Sequence, residues 1–204
     1  MSTDELTGIQ ALERAAPTKP MQSAHIERRK FEYVRHGTLS LIANFDVVTG
    51  QVLSPSLGPT RTEADFAAHI ARTIDTDPEA VWLFVVDQLN THQSESLVRL
   101  VAHRCGLTDD LGVKGESGVL RSMATRAAFL SEPTHRIQFV YVPKHTSWLN
   151  QIEIWFSILV RRVLKRGNFV SVDALRARLL EFIAYFNQTA KPFKWTYTGR
   201  PLVA

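Results

Sequence analysis

Apolar residues recur along this chain with two different periods, and the change from one to the other predicts its elements. Val81-Trp-Leu-Phe-Val-Val86 is a continuous apolar run bounded by polar residues, and Ile137 to Val142 is a second, ended by Pro143. Runs of this length predict strands buried on both faces, the mark of a sheet covered by helices. Residues 3 to 12 predict a short strand around Asp4, and the polar stretch 13 to 36, with Pro17 and Pro20, predicts a long loop. From Gly37 to Leu53 the pattern predicts two strands turned at Thr49-Gly50.

Helical spacing takes over elsewhere. Thr60 and Glu63 form a capping-box pattern ahead of Phe66, Ile70 and Ile74, so a helix is expected there. Further helices are predicted over 94 to 105 and 119 to 131, separated by a Gly- and Asp-rich loop from Gly106 to Gly118. The last two helices have the clearest stripes. Over 149 to 165, Ile152, Trp155, Phe156, Leu159, Val160, Val163 and Leu164 share one wide apolar face, while Asn150, Glu153, Ser157 and Arg161 line another. Gly167 stops that helix, and Ser171 caps the last, whose stripe is Val172, Leu175, Leu179, Phe182, Ile183 and Phe186. The order strand, hairpin, helix, strand, helices, strand, helices predicts an α/β fold, a mixed central sheet flanked by helices, in one domain over 1–204.

Composition narrows the class. With 204 residues and 45% hydrophobic content the chain suits a globular domain, and no apolar run approaches the roughly 20 residues of a membrane span. The N-terminus lacks the features of an export signal, and the single cysteine, Cys105, fits a reducing compartment; a cytoplasmic location is expected. Net charge is +4. Its placement says more: Arg28, Arg29, Lys30 and Arg35 cluster early, Arg161, Arg162, Lys165 and Arg166 late, and Lys191 and Lys194 alternate with aromatics near the end. Three basic clusters in a small domain suit a polyanionic partner such as nucleic acid.

One carboxylate stands out. Glu153 interrupts an apolar helix that follows a strand and a polar loop holding Lys144, His145, Thr146 and Ser147. Asp87 follows the strand 81 to 86 directly, at the edge where open α/β sheets place ligands, and Asn90 and His92 share its turn. Asp4 is expected at the end of its own strand. Asp46 competes with it, but its neighbours Val47-Val-Thr-Gly50 place it by a turn, so Asp4 is preferred. Carboxylates brought together repel unless a cation compensates, and hard oxygen ligands favour magnesium. Three carboxylates can hold two such ions about 4 Å apart, the arrangement that clamps an in-line phosphoryl displacement. Lys144 and His145 are candidates to touch DNA phosphate, Trp148 to stack on a base or anchor the core, and Asn150 to orient Glu153 or cap its helix. A Ser147, His145, Asp87 triad lacks a nucleophile-elbow pattern.

The runs Val85-Val-Asp-Gln-Leu-Asn-Thr-His92 and Pro143-Lys-His-Thr-Ser-Trp-Leu-Asn-Gln-Ile-Glu-Ile-Trp-Phe156 resemble the second and third acidic motifs of DDE transposases, most closely bacterial insertion-sequence transposases related to the mariner superfamily. Asp4-Glu5 resembles that family's first motif, and Tyr33-Val-Arg-His-Gly-Thr38 with Val48-Thr-Gly50 its first hairpin. The resemblance implies an RNase H-like fold in which Asp4, Asp87 and Glu153 ligate two magnesium ions, manganese substituting. It also implies cleavage of double-stranded DNA at an element's ends, followed by attack of the freed 3′-hydroxyl on target DNA, by a homodimer associated with the nucleoid. Relatives carry a helix-turn-helix region before the first acid, whereas Met1-Ser-Thr3 alone precede Asp4, so a separate helix-turn-helix polypeptide is an expected partner. The segment at about 104–131 is extra relative to compact members and is expected to sit beside the site. Two other readings stay open: a remnant that only binds DNA or dimerises, and a non-transposing RNase H-like nuclease.

Overall fold

In a computed structural model of the protein, residues 1–16, 21, 23, 32–144, 146–194 and 196 are described. Five strands, β1 (Ser2–Arg14), β2 (Tyr33–Phe45), β3 (Val52–Gly58), β4 (Trp82–Val86) and β5 (Ile137–Tyr141), form one sheet in the order β3-β2-β1-β4-β5. The hairpin strands β1, β2 and β3 pair antiparallel, and β4 and β5 continue the sheet parallel to β1. Helices α1 (Glu63–Ile74), α2 (Glu95–Arg104) and α3 (Met123–Leu130) cover one face; α4 (Ile152–Leu159) and α5 (Val172–Gln188) cover the other over β1, β2 and β3. This mixed, helix-flanked sheet is the RNase H-like α/β arrangement that the sequence led us to expect.

The alternation of β1 decides what faces what. Ser2, Asp4 and Leu6 point toward α4 and α5, whereas Thr3 and Glu5 point toward α1 and the 3-10 turn Asn90–Gln93. A register shift between Leu6 and Ile9, with Gly8 at φ +65°, then resets the alternation, so that Ile9 and Ala11 rejoin the α4/α5 core. Without that bulge, the second half of a 13-residue strand would turn its apolar residues to the wrong side.

Several expectations need correction. The stretch 13 to 36 is not all loop: β1 runs to Arg14 and β2 starts at Tyr33, because the antiparallel ladder continues past the core along residues that are largely exposed. Asp4 lies inside β1 rather than at a strand end. The capping box is formed by Thr62 and Asp65, two residues later than expected; Thr60 instead donates to Asp65 Oδ2. Both pairs have the same three-residue spacing, and Asp65 takes the role because its Oδ2 accepts from the Thr62 N–H. Strand β4 is buried on one face only. Trp82, Phe84 and Val86 enter the core, while Val81 and Leu83 are 73% and 47% exposed, because α4 and α5 do not extend over β4 and β5. The helix expected over 119–131 is broken at Ser122, whose side chain caps α3.

The segment 104–131 supplies Leu120 and Leu130 to the α1–α3 core, and its buried Arg126 donates to the carbonyls of Gln93 (2.6 Å) and Leu120 (3.0 Å). It is therefore built into the layer that supports the turn after Asp87.

Candidate active site

Parallel pairing of β1 and β4 is what brings two of the acids together. Ser2 is the Cα partner of Val85, and two residues further along each chain stand Asp4 and Asp87. The pairing is pinned by the Val85 N–H donating to the Met1 carbonyl at 2.7 Å. Asp87 leaves the end of β4, and its Oδ1 accepts from the Leu89 N–H at 2.9 Å; Gln88 ties the same turn to the end of β5 by donating to the Val142 carbonyl.

Glu153 arrives from the other layer. A hydrogen-bonded turn, Ser147–Leu149, carries the chain from β5 to α4, and Asn150 locks that junction to β1. Asn150 is fully buried: its Nδ2 donates to the Thr3 carbonyl at 2.9 Å and points at Asp4 Oδ2 at 3.4 Å, and its Oδ1 accepts from the Ser2 hydroxyl. Ser2 Oγ in turn accepts from the Ile152 N–H at 2.8 Å, satisfying a donor that the start of α4 leaves unpaired. Glu153, in the first turn of α4, then comes within hydrogen-bonding reach of the Asp4 carboxyl and within the field of Asp87.

Electrostatics register the crowding. Burial pushes the Asp4 carboxyl up to about 7; the Glu5 N–H donating to Oδ1 opposes this, and the charges of Asp87 and Glu5 add to it. Burial and Asp87 likewise raise Glu153, against the contact with Asp4. Asp87 goes the other way, held below its usual range chiefly by a hydrogen bond from His92. His92 is completely buried: Nδ1 lies 2.8 Å from Asp87 Oδ1, Nε2 lies 3.1 Å from Glu5 Oε2, and Phe66 packs on the ring at 4.3 Å. Burial alone would lower its pKa, but the two carboxylates outweigh that and lift it to about 10.

This set fits a hard divalent cation. Among the described residues, ligand atoms of Asp4, Asp87 and His92 lie within 4.8 Å of one another. His92 belongs to the group by distance, yet both its nitrogens face carboxylates, so the donors left over in it are carboxylate oxygens of Asp4 and Asp87; Glu153 is not within that group and approaches it through Asp4. Asp4 is raised first by burial and then by the charges of Asp87 and Glu5, and a cation bound among these carboxylates would supply a countercharge.

Residues 3–176 match the family model of the DDE superfamily endonucleases. The chain belongs to that family. No curated protein and no solved structure matches it. In this DDE endonuclease, the three acids singled out in the sequence converge at one place, with Asn150 and His92 beside them. Asn90 is exposed at the start of the 3-10 turn. Asp46, the competitor of Asp4, is spent on closing its own turn, accepting from the Val48 N–H and the Thr49 hydroxyl.

The basic residues are less concentrated. Lys144 is exposed in the loop between β5 and α4, and Arg161, Arg162, Lys165 and Arg166 are exposed on and after a π-helical turn, Val160–Leu164, that extends α4. Lys191 and Lys194 flank Phe193, whose ring stacks on Phe45 at 4.7 Å. Arg35 stands opposite Leu12, eight residues along β1 from Asp4 and so roughly 26 Å away at strand spacing. Arg28, Arg29, Lys30 and His145 lie outside the described residues, as does the side chain of Ser147.

Two participants were missed in the sequence. Glu5 was read only as the second half of an Asp-Glu pair, although strand alternation sends it to the opposite face from Asp4. Arg61, exposed ahead of α1, acts electrostatically on Asp87; nothing in its local sequence marks it.

Proposed function

We propose that this chain is the catalytic domain of an insertion-sequence transposase, which cuts and joins DNA strands at a site formed by Asp4, Asp87 and Glu153. The observation that carries the reading is the convergence of these three carboxylates from β1, the end of β4 and the start of α4, in a member of the DDE superfamily endonucleases. Asp4, Asp87 and Glu153 would hold divalent cations, magnesium or manganese. When bound, such ions supply Lewis-acid stabilisation of the charge that develops on a phosphoryl group during in-line displacement.

The chain's own groups do the rest. Asn150 holds the start of α4 against Thr3 and Asp4, so that Glu153 and Asp4 keep a fixed separation as their protons leave. His92 neutralises Asp87 from beneath and keeps its carboxylate ionised. In the first reaction water attacks the phosphorus at the element's end, the bond from phosphorus to the 3′-oxygen breaks, and that oxygen takes a proton. In the second, the new 3′-hydroxyl attacks a target phosphodiester and displaces the target's own 3′-oxygen. Positioning and electrostatics dominate such chemistry, and no covalent enzyme intermediate is required.

Lys144 and Arg61, near the site's loops, are assigned with His145 to phosphates near the scissile bond. Arg161, Arg162, Lys165, Arg166, Lys191 and Lys194, with Arg28, Arg29, Lys30 and Arg35, are assigned to the flanking duplex. The partners proposed are double-stranded DNA, a second copy of the chain, and a helix-turn-helix polypeptide for element-end recognition, all within the cytoplasm; no described helix is long and apolar enough to cross a membrane.

The test is cleavage of a supercoiled plasmid carrying element ends, with magnesium or manganese, by the purified chain and by Asp87→Asn and Glu153→Gln. Metal-dependent nicking and joining lost in both variants supports the transposase reading. No cleavage with either metal overturns it in favour of a DNA-binding remnant, and cleavage without joining in favour of a plain nuclease.

A further inference from the structure

Glu5 is a carboxylate placed where a core residue belongs. Its side chain is 1% exposed and lies on the face of β1 away from Asp4 and Glu153, so it offers nothing directly to a ligand at the site. Its contacts are with the turn that follows β4: Oε2 faces His92 Nε2 at 3.1 Å, and Oε1 accepts from the Thr91 hydroxyl at 3.4 Å. Burying a pair of charges is seldom a gain in stability, since well-packed apolar residues of similar volume generally do as well or better. Phe66, Leu97 and Val98 are apolar in this layer, and the polar side chains Thr3, Asn44 and Thr73 buried in it are uncharged. The pair must be there for what lies on its other side.

On that other side is Asp87. The imidazole stands between the two carboxylates, and each ring nitrogen faces an oxygen, so both nitrogens must donate. The ring has little freedom to move otherwise. Phe66 packs against it at a tilt, Tyr141 donates to its backbone carbonyl at 2.9 Å, and Arg126 holds the next carbonyl, that of Gln93. Oδ1 of Asp87 is thereby occupied twice, by His92 Nδ1 and by the Leu89 N–H, and Oδ2 is the oxygen left over.

We infer that Glu5 is a positioning residue for the carboxylate site: acting through His92 from the far face of the sheet, it fixes the rotation of the Asp87 carboxylate so that Oδ2 alone is presented to a divalent cation. The inference rests on the metal-binding reading proposed above. A neutral amide in place of Glu5 removes the charged partner at Nε2, so the ring is held less firmly between two carboxylates, and the Asp87 carboxylate with it.

The experiment measures Mn²⁺ binding to the metal-free protein by the loss of the free-ion paramagnetic resonance signal, in the unmodified chain and in Glu5→Gln, Glu5→Asp and Asp87→Asn. Glu5→Gln is expected to weaken Mn²⁺ binding about 10- to 100-fold, the range typical of residues behind a ligand, with an unfolding midpoint close to that of the unmodified chain. Glu5→Asp, which keeps the charge, is expected to recover part of the loss. Unchanged affinity in folded Glu5→Gln, with binding lost in Asp87→Asn, overturns the role of Glu5 and leaves the metal site standing. Binding unaffected in Asp87→Asn, or absent from the unmodified chain, overturns both. Should Glu5→Gln not fold, Glu5→Asp decides: it draws the carboxylate back from His92 Nε2, and Mn²⁺ affinity unchanged from the unmodified chain overturns the inference.

Discussion

Asn150 and Ser2, 148 residues apart in sequence, are hydrogen-bonded side chain to side chain in the core, and Ser2 Oγ goes on to accept from the Ile152 N–H. Through this pair the first strand of the sheet caps the helix that carries Glu153. The third acid is therefore placed by the first strand as much as by its own helix, and one carboxamide serves three polar groups: the Ser2 hydroxyl, the Thr3 carbonyl and Asp4.

Replacing Asn150 by Ala takes a buried partner from each of those groups, although Ser2 Oγ keeps the Ile152 N–H and Asp4 Oδ1 the Glu5 N–H. The expected loss is about 1–3 kcal/mol, the usual range for a buried polar group left unsatisfied. Urea unfolding measures it. Asn150→Asp is expected to be worse than Asn150→Ala above neutral pH, because it adds a fourth acid against Asp4 and Glu153. A variant Asn150→Ala as stable as the unmodified chain would show that water replaces the carboxamide.

The pH dependence of the metal-free protein follows from Asp4 and His92. The folded state raises Asp4 from 3.8 to about 7, so the unfolded chain gives up this proton first and stability falls as pH rises from about 4 to about 7; Glu153 is shifted in the same direction. His92, raised from 6.5 to about 10, contributes stability that is complete below about 6.5 and is lost as pH rises through about 10. Asp87 is held low, so its contribution is present above 3.8 and lost on acidification. In chelator, the urea midpoint is therefore expected to decline steadily from mildly acidic to alkaline pH, and excess Mg²⁺ to flatten the part of that decline that belongs to Asp4 and Glu153. A midpoint that rises through neutrality contradicts the assignment. By the same reasoning Asp4→Asn, which removes the buried acid, is expected to be more stable than the unmodified metal-free chain at neutral pH by roughly 0.5–2 kcal/mol, while losing cleavage.

Gly50 closes the turn between β2 and β3 at φ +78°, and a Cβ added there would lie 2.2 Å from the backbone carbonyl of Lys191. The turn and the segment after α5 are thus in backbone contact, reinforced by Asn187, which both donates to and accepts from Val52, and by the Phe193 ring on Phe45. Gly50→Ala is expected to lose about 1–2 kcal/mol from the left-handed backbone alone and more from displacing Lys191. Hydrogen exchange would show faster exchange at Val52, whose amide is held by Asn187. Protection unchanged there would mean that the segment tolerates the displacement.

How far the sequence could be read depended on whether the deciding contact was local. The turn at Gly50, the cap at Ser171 and the stripes of α4 and α5 are set by neighbours a few residues apart, and local pattern finds them. The acids Asp87 and Glu153 were legible because each follows a buried strand and breaks an apolar pattern. Glu5 was not, because its role comes from His92, 87 residues away, which meets it on the face of β1 opposite Asp4. The length of β1 and β2 was hidden for a related reason: beyond the core their residues pair through backbone alone, and polar side chains there look like loop.

The one-sided burial of β4 gives the sharpest contrast between what an apolar run predicts and what the fold does with it. Trp82, Phe84 and Val86 face the α1–α3 layer, where Phe84 stacks between Trp82 and Phe139 at 5.8 and 5.2 Å; Leu83 points to the side that α4 leaves uncovered, and Val140 on β5 is 46% exposed. Adjacent residues of one strand should therefore differ widely in their tolerance of change. Phe84→Ala is expected to lose about 3–5 kcal/mol, as large aromatic truncations in a closed core do. Leu83→Lys, one position away and equally apolar in sequence, is expected to alter stability by no more than about 0.5 kcal/mol, because its charge reaches solvent. Paired urea titrations of the two variants measure the difference directly. A Leu83→Lys chain as unstable as Phe84→Ala would mean that the face of β4 opposite the α1–α3 layer is covered in solution, and that the strand is buried on both sides as its sequence predicts.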